Sequence, residues 1–198
     1  MTVLRTHWKR SDQSKYAIPN LNATVVVRKK DEEGNYTDFR KCGDYRPLNL
    51  ETTLDRYQLP LIETIFNEMK GAKIFSKLDL RSRYHQMPLR ECDRMKTTFW
   101  GAHRMLWEWC VVPFGLKNAP PYFQKQMDKV LLNLPFARCY IDDIVIWSST
   151  MEEHLQHLTA VFERLRQAGL KVHSGKCVFA VDRIDFLGHC VSAEGLSP

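Results

Sequence analysis

The chain has 198 residues, of which 44% are apolar and 26% charged; this is close to a globular average and excludes disordered and fibrous classes. No apolar run approaches the ~18 residues needed to span a bilayer, and the polar, basic start from Met1 to Arg10 is not a secretory signal, so no membrane partner is expected. The formal net charge is +6, and all of the excess lies in residues 1–100, with 19 basic against 13 acidic residues; such asymmetry suggests a polyanionic partner, nucleic acid first, although a solvated basic surface has the same composition.

Residues 1–12 are expected to be poorly ordered. Thr24 to Lys30 is β-branched and then cationic, and reads as a strand. Gly34-Asn35 marks a turn, and Thr37 to Cys42 returns as a second strand. The hairpin is rich in cations: Arg28, Lys29, Lys30, Arg40 and Lys41. Leu59-Pro60-Leu61 opens a helix whose apolar face is Ile62, Ile65, Phe66 and Met69, with Gly71 as its stop. Lys73 to Leu80 reads as a strand, and residues 96–112 as a hairpin turning near Gly101. Asn118 is a good N-cap, with Pro120 and Pro121 in the first helical turn. The helix that follows carries Phe123, Met127, Val130, Leu131 and Leu134 on one face. Two short apolar runs within 137–148 form a hairpin around Asp142-Asp143. Ser149 with Glu152 reads as a capping box. The next helix buries Leu155, Leu158, Val161, Phe162 and Leu165 and ends near Gly169, and its His154 and His157 are expected to be exposed. Residues 177–191 read as a final hairpin. Strands and helices mix without regular β-α-β alternation, which predicts an α+β fold with a largely antiparallel sheet and helices packed on one face.

The six cysteines form no C-x-x-C pair and read as reduced thiols of an intracellular protein. His173, Cys177, His189 and Cys190 lie close in sequence, but adjacent strand residues point to opposite faces, so a shared zinc is awkward.

The acids at 79, 142 and 143 are a different matter. Asp79 sits between Leu78 and Leu80, and Asp142-Asp143 between Tyr140-Ile141 and Ile144-Val145. A carboxylate inside an apolar strand costs several kcal/mol unless it is paired or metal-bound. If the two strands neighbour each other, the acids converge and repel unless a cation sits among them. Oxygen ligands without His or Cys favour a hard ion such as Mg²⁺ or Mn²⁺. Two such ions would serve phosphoryl transfer. Each acid also has a plainer reading: Asp-Asp is common turn chemistry, and Asp79 could cap a helix.

Tyr140-Ile141-Asp142-Asp143 resembles the Y-x-D-D box of reverse transcriptases. Phe75-Ser76-Lys77-Leu78-Asp79-Leu80 with Tyr84-His85-Gln86 is similar to the first catalytic block of gypsy-type LTR retrotransposon and caulimovirus-like polymerases. Pro113-Phe114-Gly115-Leu116, with Asn118-Ala119-Pro120 and Phe123-Gln124, resembles the block between them. Asp44 to Asn49 and Phe186-Leu187-Gly188 match two more, and all five stand in the family's order.

The resemblance implies the fingers and palm of a right-hand polymerase: fingers mainly in 20–72 and part of 84–120, palm mainly in 73–83 and 121–198, with the thumb absent. It implies RNA-directed DNA polymerase activity on an RNA or DNA template with a primer, using deoxynucleoside triphosphates and two Mg²⁺ or Mn²⁺ ions. Asp79, Asp142 and Asp143 would be catalytic and metal-binding, with the Leu80 carbonyl facing a metal. Lys29 and Arg40 would contact the triphosphate, Tyr84 would lie under the sugar, and Phe114 and Gly115 would lie against the nucleotide. Tyr140 and the stretch Phe186, Leu187, Gly188 and His189 would hold the primer. Arg83 stands where the family usually has a small residue, and Gly43 where it has an apolar one. Thumb, ribonuclease H and integrase regions would belong to a larger polyprotein, acting in a cytoplasmic particle or the nucleus. A catalytically inactive nucleic-acid-binding remnant, or a metal-dependent nuclease using the same acids, are the other readings.

Overall fold

The structure is a computed structural model that describes residues 8–10, 22–30, 34–101 and 105–197; the side chains of 8–10, 24–27, 29–30 and 37–42 are outside the description. In chain order the elements are β1 (Trp8–Arg10), β2 (Thr24–Lys30), β3 (Tyr36–Gly43), α1 (Arg46–Glu51), α2 (Ile62–Glu68), β4 (Ile74–Asp79) and α3 (Glu91–Arg94). There follow β5 (Phe99–Trp100), β6 (Leu106–Trp109), α4 (Ala119–Val130), β7 (Ala137–Tyr140), β8 (Asp143–Ser148) and α5 (Met151–Gln167). The described chain closes with β9 (Val178–Val181), β10 (Arg183–Phe186), β11 (His189–Ser192) and β12 (Gly195–Ser197). Among the described residues, no helix is long and apolar enough to cross a membrane.

Two compact units divide the chain. The first takes Met1–Asp55 and Tyr84–Ala119. Its β2–β3 hairpin pairs Val27 with Arg40 and Arg28 with Phe39, as the β-branched run and the Gly-Asn turn predict. The Arg28 guanidinium lies 5.2 Å from the centre of the Tyr36 ring, a cation–π contact across the hairpin. Three antiparallel strands run in the order β1-β6-β5. Trp8–Arg10, inside the stretch expected to be poorly ordered, is thus a paired strand, with Trp8 opposite Trp109. The core of this unit is Tyr45, Phe99 and Trp109, with Leu48, Leu89, Val111 and Leu116 against it. Gly43 is there for Tyr45: a Cβ at Gly43 would stand 2.4 Å from the tyrosine ring. The apolar strand residue that the family pattern puts there has no room.

The second unit takes Arg56–Arg83 and Pro120–Pro198. Its four-stranded antiparallel sheet has the order β7-β8-β4-β9, so the strands bearing Asp79 and Asp143 are the two central ones. A three-stranded sheet, β10-β11-β12, lies beside it in the chain order of its strands. The core joins Ile65, Phe66 and Met69 of the α2 region to Phe75, Val145, Trp147, Ile184, Phe186 and Val191. Arg138 of β7 grips Glu68 of α2 with two hydrogen-bonding contacts, 2.8 and 3.1 Å.

Five sequence expectations are corrected here. His154 is fully buried and His157 half-buried, because Ser76 and Ser148 accept or donate to their ring nitrogens. The face of α5 is therefore His154, Val161 and Leu165, while Leu155 is 58% exposed and Phe162 37% exposed. The α5 cap is Thr150, whose hydroxyl accepts from the Glu153 N–H, one residue later than Ser149/Glu152. The 177–191 stretch is not one hairpin: β9 pairs with β4, and β10 turns back on β11. The Asn118 side chain bonds the 53–55 loop, accepting from the Asp55 N–H at 3.0 Å and donating to the Thr53 carbonyl at 2.8 Å.

Candidate active site

Asp79 is the last residue of β4 and Asp143 the first of β8, and the antiparallel register sets them directly opposite each other. Partners on one rung project to the same face of the sheet. Burial pushes the Asp143 carboxyl up from the usual carboxylate range; Lys77 opposes this, Asp79 adds to it and Arg83 opposes it. Asp142 precedes β8 at the apex of the β7–β8 hairpin, where Ile141 has φ +53° and the Asp142 N–H donates to the Tyr140 carbonyl at 2.6 Å. Its carboxylate is ion-paired with Arg83.

The apex is held from below by Gln124, which is fully buried in α4. Its carbonyl oxygen accepts from the Ile141 N–H at 3.0 Å. Its amide nitrogen donates to the Cys139 carbonyl at 2.7 Å and to Asp128 at 2.8 Å. Asp128 in turn accepts from the Tyr57 hydroxyl at 2.5 Å, which raises the tyrosine to about 12. The Phe123-Gln124 block was legible in the sequence, but this role for Gln124 was not. A buried amide needs several partners, and that requirement was the available signal.

Leu80 is buried, bridges Val172, and its carbonyl faces the Arg83 N–H at 3.5 Å. Tyr140 lies opposite Asp143 and packs on the core of the second unit. Phe186 is buried in that core, and Leu187 (φ +52°) and Gly188 (φ +80°) form the two-residue turn between β10 and β11. Positive φ at both positions is the geometry of a type I′ hairpin turn. The His189 ring, on the exposed side, lies 5.3 Å from Phe66.

In the first unit, Tyr84 and His85 both meet Phe114 in T-shaped contacts, with ring centres 5.2 and 5.0 Å apart. Gly115 has φ +97°, and its carbonyl accepts from the Asn49 amide at 2.8 Å. Asn49 also accepts from the Lys117 N–H at 2.8 Å, so the 44–49 and 113–118 blocks are bonded together. Asp44 is held down to about 2 by its two-pronged contact with Arg46. Lys29 and Arg40 lie on β2 and β3, and their side chains are outside the described residues.

Among the described residues, no group of three or more His, Cys, Asp or Glu side chains could hold a metal ion as placed. This covers the His173/Cys177/His189/Cys190 set as well as the acids. The donor chemistry of the acids nevertheless fits a hard divalent cation. Two carboxylates share one rung, and Asp143 carries the buried, like-charge strain that such a cation relieves.

Residues 27–191 match the family model described as Reverse transcriptase (RNA-dependent DNA polymerase). The chain belongs to the reverse transcriptase family. It is 36% identical over 191 residues to the Retrovirus-related Pol polyprotein from transposon 297 of Drosophila melanogaster, covering 96% of this chain and 18% of that polyprotein. It is 35% identical over 180 residues to the Transposon Tf2-3 polyprotein of Schizosaccharomyces pombe, covering 90% of this chain and 13% of that one. The chain thus spans under a fifth of these curated relatives. Among solved structures it resembles a foamy viral protease-reverse transcriptase in complex with double-stranded DNA, with a TM-score of 0.84 and 25% identity over 98% of this chain and 32% of that one. A second foamy viral protease-reverse transcriptase, in complex with an RNA/DNA hybrid, gives a TM-score of 0.81 at 25% identity over 96% of this chain and 24% of that one. The fold is the α+β fold of a reverse transcriptase's fingers and palm.

Proposed function

We propose that this chain is the RNA-directed DNA polymerase domain of a gypsy-type LTR retroelement polyprotein, extending a primer 3′ end with deoxynucleotides. The observation that carries the reading is the rung joining Asp79 to Asp143, with Asp142 beside it, inside a reverse transcriptase fold. Asp79, Asp142 and Asp143, with the Leu80 carbonyl, would hold two divalent ions. Ions held there would supply Lewis-acid chemistry, lowering the pKa of a 3′ hydroxyl and offsetting charge on a departing pyrophosphate.

The chain's own side chains do the rest. Lys29 and Arg40 supply positive charge to the triphosphate, and Arg can grip a phosphate bidentately. The Tyr84 ring, stiffened by its edge contact with Phe114, stands against the sugar, where it rejects a 2′-hydroxyl by bulk; Gly115 leaves backbone exposed to the nucleotide. Tyr140 and the tight turn at Phe186 to His189 hold the primer end. The partner is a template with its primer, as in the relatives solved on double-stranded DNA and on an RNA/DNA hybrid. The rest of such a polyprotein would supply thumb, ribonuclease H and integrase regions, and would act in a cytoplasmic particle or the nucleus.

Primer extension by the wild-type chain, Asp79→Asn and Asp142→Asn tests this. Wild-type extension lost in both variants is the expected result. Equal extension by all three sinks the reading. The Arg83–Asp142 ion pair favours a second reading, a nucleic-acid-binding remnant without chemistry. That reading requires salt-dependent binding of template-primer by all three chains with no extension by any.

A further inference from the structure

We propose that Arg83 is a tethered counter-cation for the acid cluster, so that a divalent ion can engage Asp142 only by displacing the arginine side chain. The inference rests on the reading of these acids as a metal site, and adds a competitor that belongs to the chain itself.

Asp79 ends β4, and the chain passes through Leu80, Arg81 and Ser82 before the 3-10 turn Arg83–Gln86. Ser82 has φ +50°, a left-handed kink, and the Arg83 N–H faces back toward the Leu80 carbonyl. This sharp reversal returns the Arg83 side chain to the strand end it has just left. There its guanidinium pairs with Asp142. The two side chains are only 30% and 35% exposed, so solvent screens the pair less than it screens one on the open surface. The arginine's charge also acts on Asp143, next in sequence and directly opposite Asp79.

The chemistry of the group makes it an effective competitor. A guanidinium offers five donors in a plane that matches a carboxylate, and it cannot lose its proton in a protein, so raising the pH does not free Asp142. It is also part of the chain, and dilution does not remove it. A metal then binds only the fraction of molecules in which the pair is open, and its apparent dissociation constant rises by the inverse of that fraction. A pair closed nine-tenths of the time weakens metal binding about tenfold.

The test uses the full chain and Mn²⁺ alone, with free Mn²⁺ read by electron paramagnetic resonance. Arg83→Ala removes charge and bulk; Arg83→Gln removes charge and keeps most of the bulk. Each chain is also melted in EDTA and in Mn²⁺, which establishes that it is folded. Both variants are expected to bind Mn²⁺ at least tenfold more tightly than wild type, and to show a larger rise in melting temperature on adding Mn²⁺. Adding Asp142→Asn to either is expected to abolish the gain. Wild type and both variants binding within twofold of each other, in a manner sensitive to Asp142→Asn, would overturn the inference and leave the metal reading standing. Tightening by Arg83→Ala alone would also overturn it, because bulk rather than charge would then be the obstacle. No binding by any of the chains would overturn both.

Discussion

The buried side-chain amide of Gln124 receives the backbone N–H of Ile141 at 3.0 Å while donating to the Cys139 carbonyl on the other side of Tyr140. One side chain from α4 therefore fixes the chain on both sides of a residue that leads into the acidic apex. Ile141 needs that support: a β-branched residue at φ +53° is a genuine outlier of backbone geometry.

Gln124→Leu keeps much of the volume and removes the amide. It leaves a half-buried N–H and a buried carbonyl without partners, a loss on the order of 2–4 kcal/mol. Urea denaturation should show this loss. At conditions where the variant is still folded, primer extension should fall further than folding does, because the apex carrying Asp142 is no longer held. An unchanged denaturation midpoint would mean that the bonds contribute nothing.

Gly43→Ala should destabilise the chain by roughly 1–3 kcal/mol, the usual result of adding bulk to a filled core. The added methyl would meet the Tyr45 ring, which is itself buried. The double variant Gly43→Ala/Tyr45→Leu should recover part of the loss. Thermal melting measures both.

Stability should also depend on pH through His154. Burial holds its imidazole below the usual histidine value, and the neighbouring His157 pushes it the same way. The unfolded chain therefore takes up a proton on His154 before the folded chain does. The contribution is complete above about pH 6.5, the ordinary histidine value. It is lost progressively as the pH falls from there through the depressed folded value. His154→Gln should flatten that part of the pH profile while lowering stability at pH 8, where the Ser76 and Ser148 contacts are lost. A wild-type melting temperature that is level from pH 8 to 5 would contradict this.

Asp143→Asn should leave the metal-free chain as stable as wild type or more so, since burial and the Asp79 charge both disfavour its carboxylate. The same change should abolish nucleotide addition. Melting in EDTA beside primer extension separates the two effects.

Much of this was legible in the sequence because the informative patterns are local. The β2–β3 and β7–β8 hairpins follow from β-branched runs around turn residues, and the five motif blocks follow from their order. The rung between Asp79 and Asp143 needed only the assumption that two acid-bearing strands are neighbours. What escaped was decided across long distances. His154 looked like a surface residue because a histidine counts as polar, yet Ser76, 78 residues away, satisfies it in the core. Residues 178–181 looked like half of a hairpin with their successors, but the free edge of β4 was the better partner. Arg83 could be flagged as unusual from the family pattern, while its pairing with Asp142 depends on a kink at Ser82 that no periodicity encodes.

The ladder between β4 and β9 slips by one residue: Phe75 faces Val181, but Lys77 faces Val178. Ala180, at φ +50°, is caught in the slip, and its N–H is taken by the Ser76 hydroxyl at 2.9 Å instead of by a strand carbonyl. Because β9 is the outermost strand of its sheet, this irregularity kinks a border that would otherwise offer a straight row of amides to any passing extended chain. The serine that steadies the histidine thereby also holds the kink in this outer strand, so one buried hydroxyl serves both the core and the sheet's border.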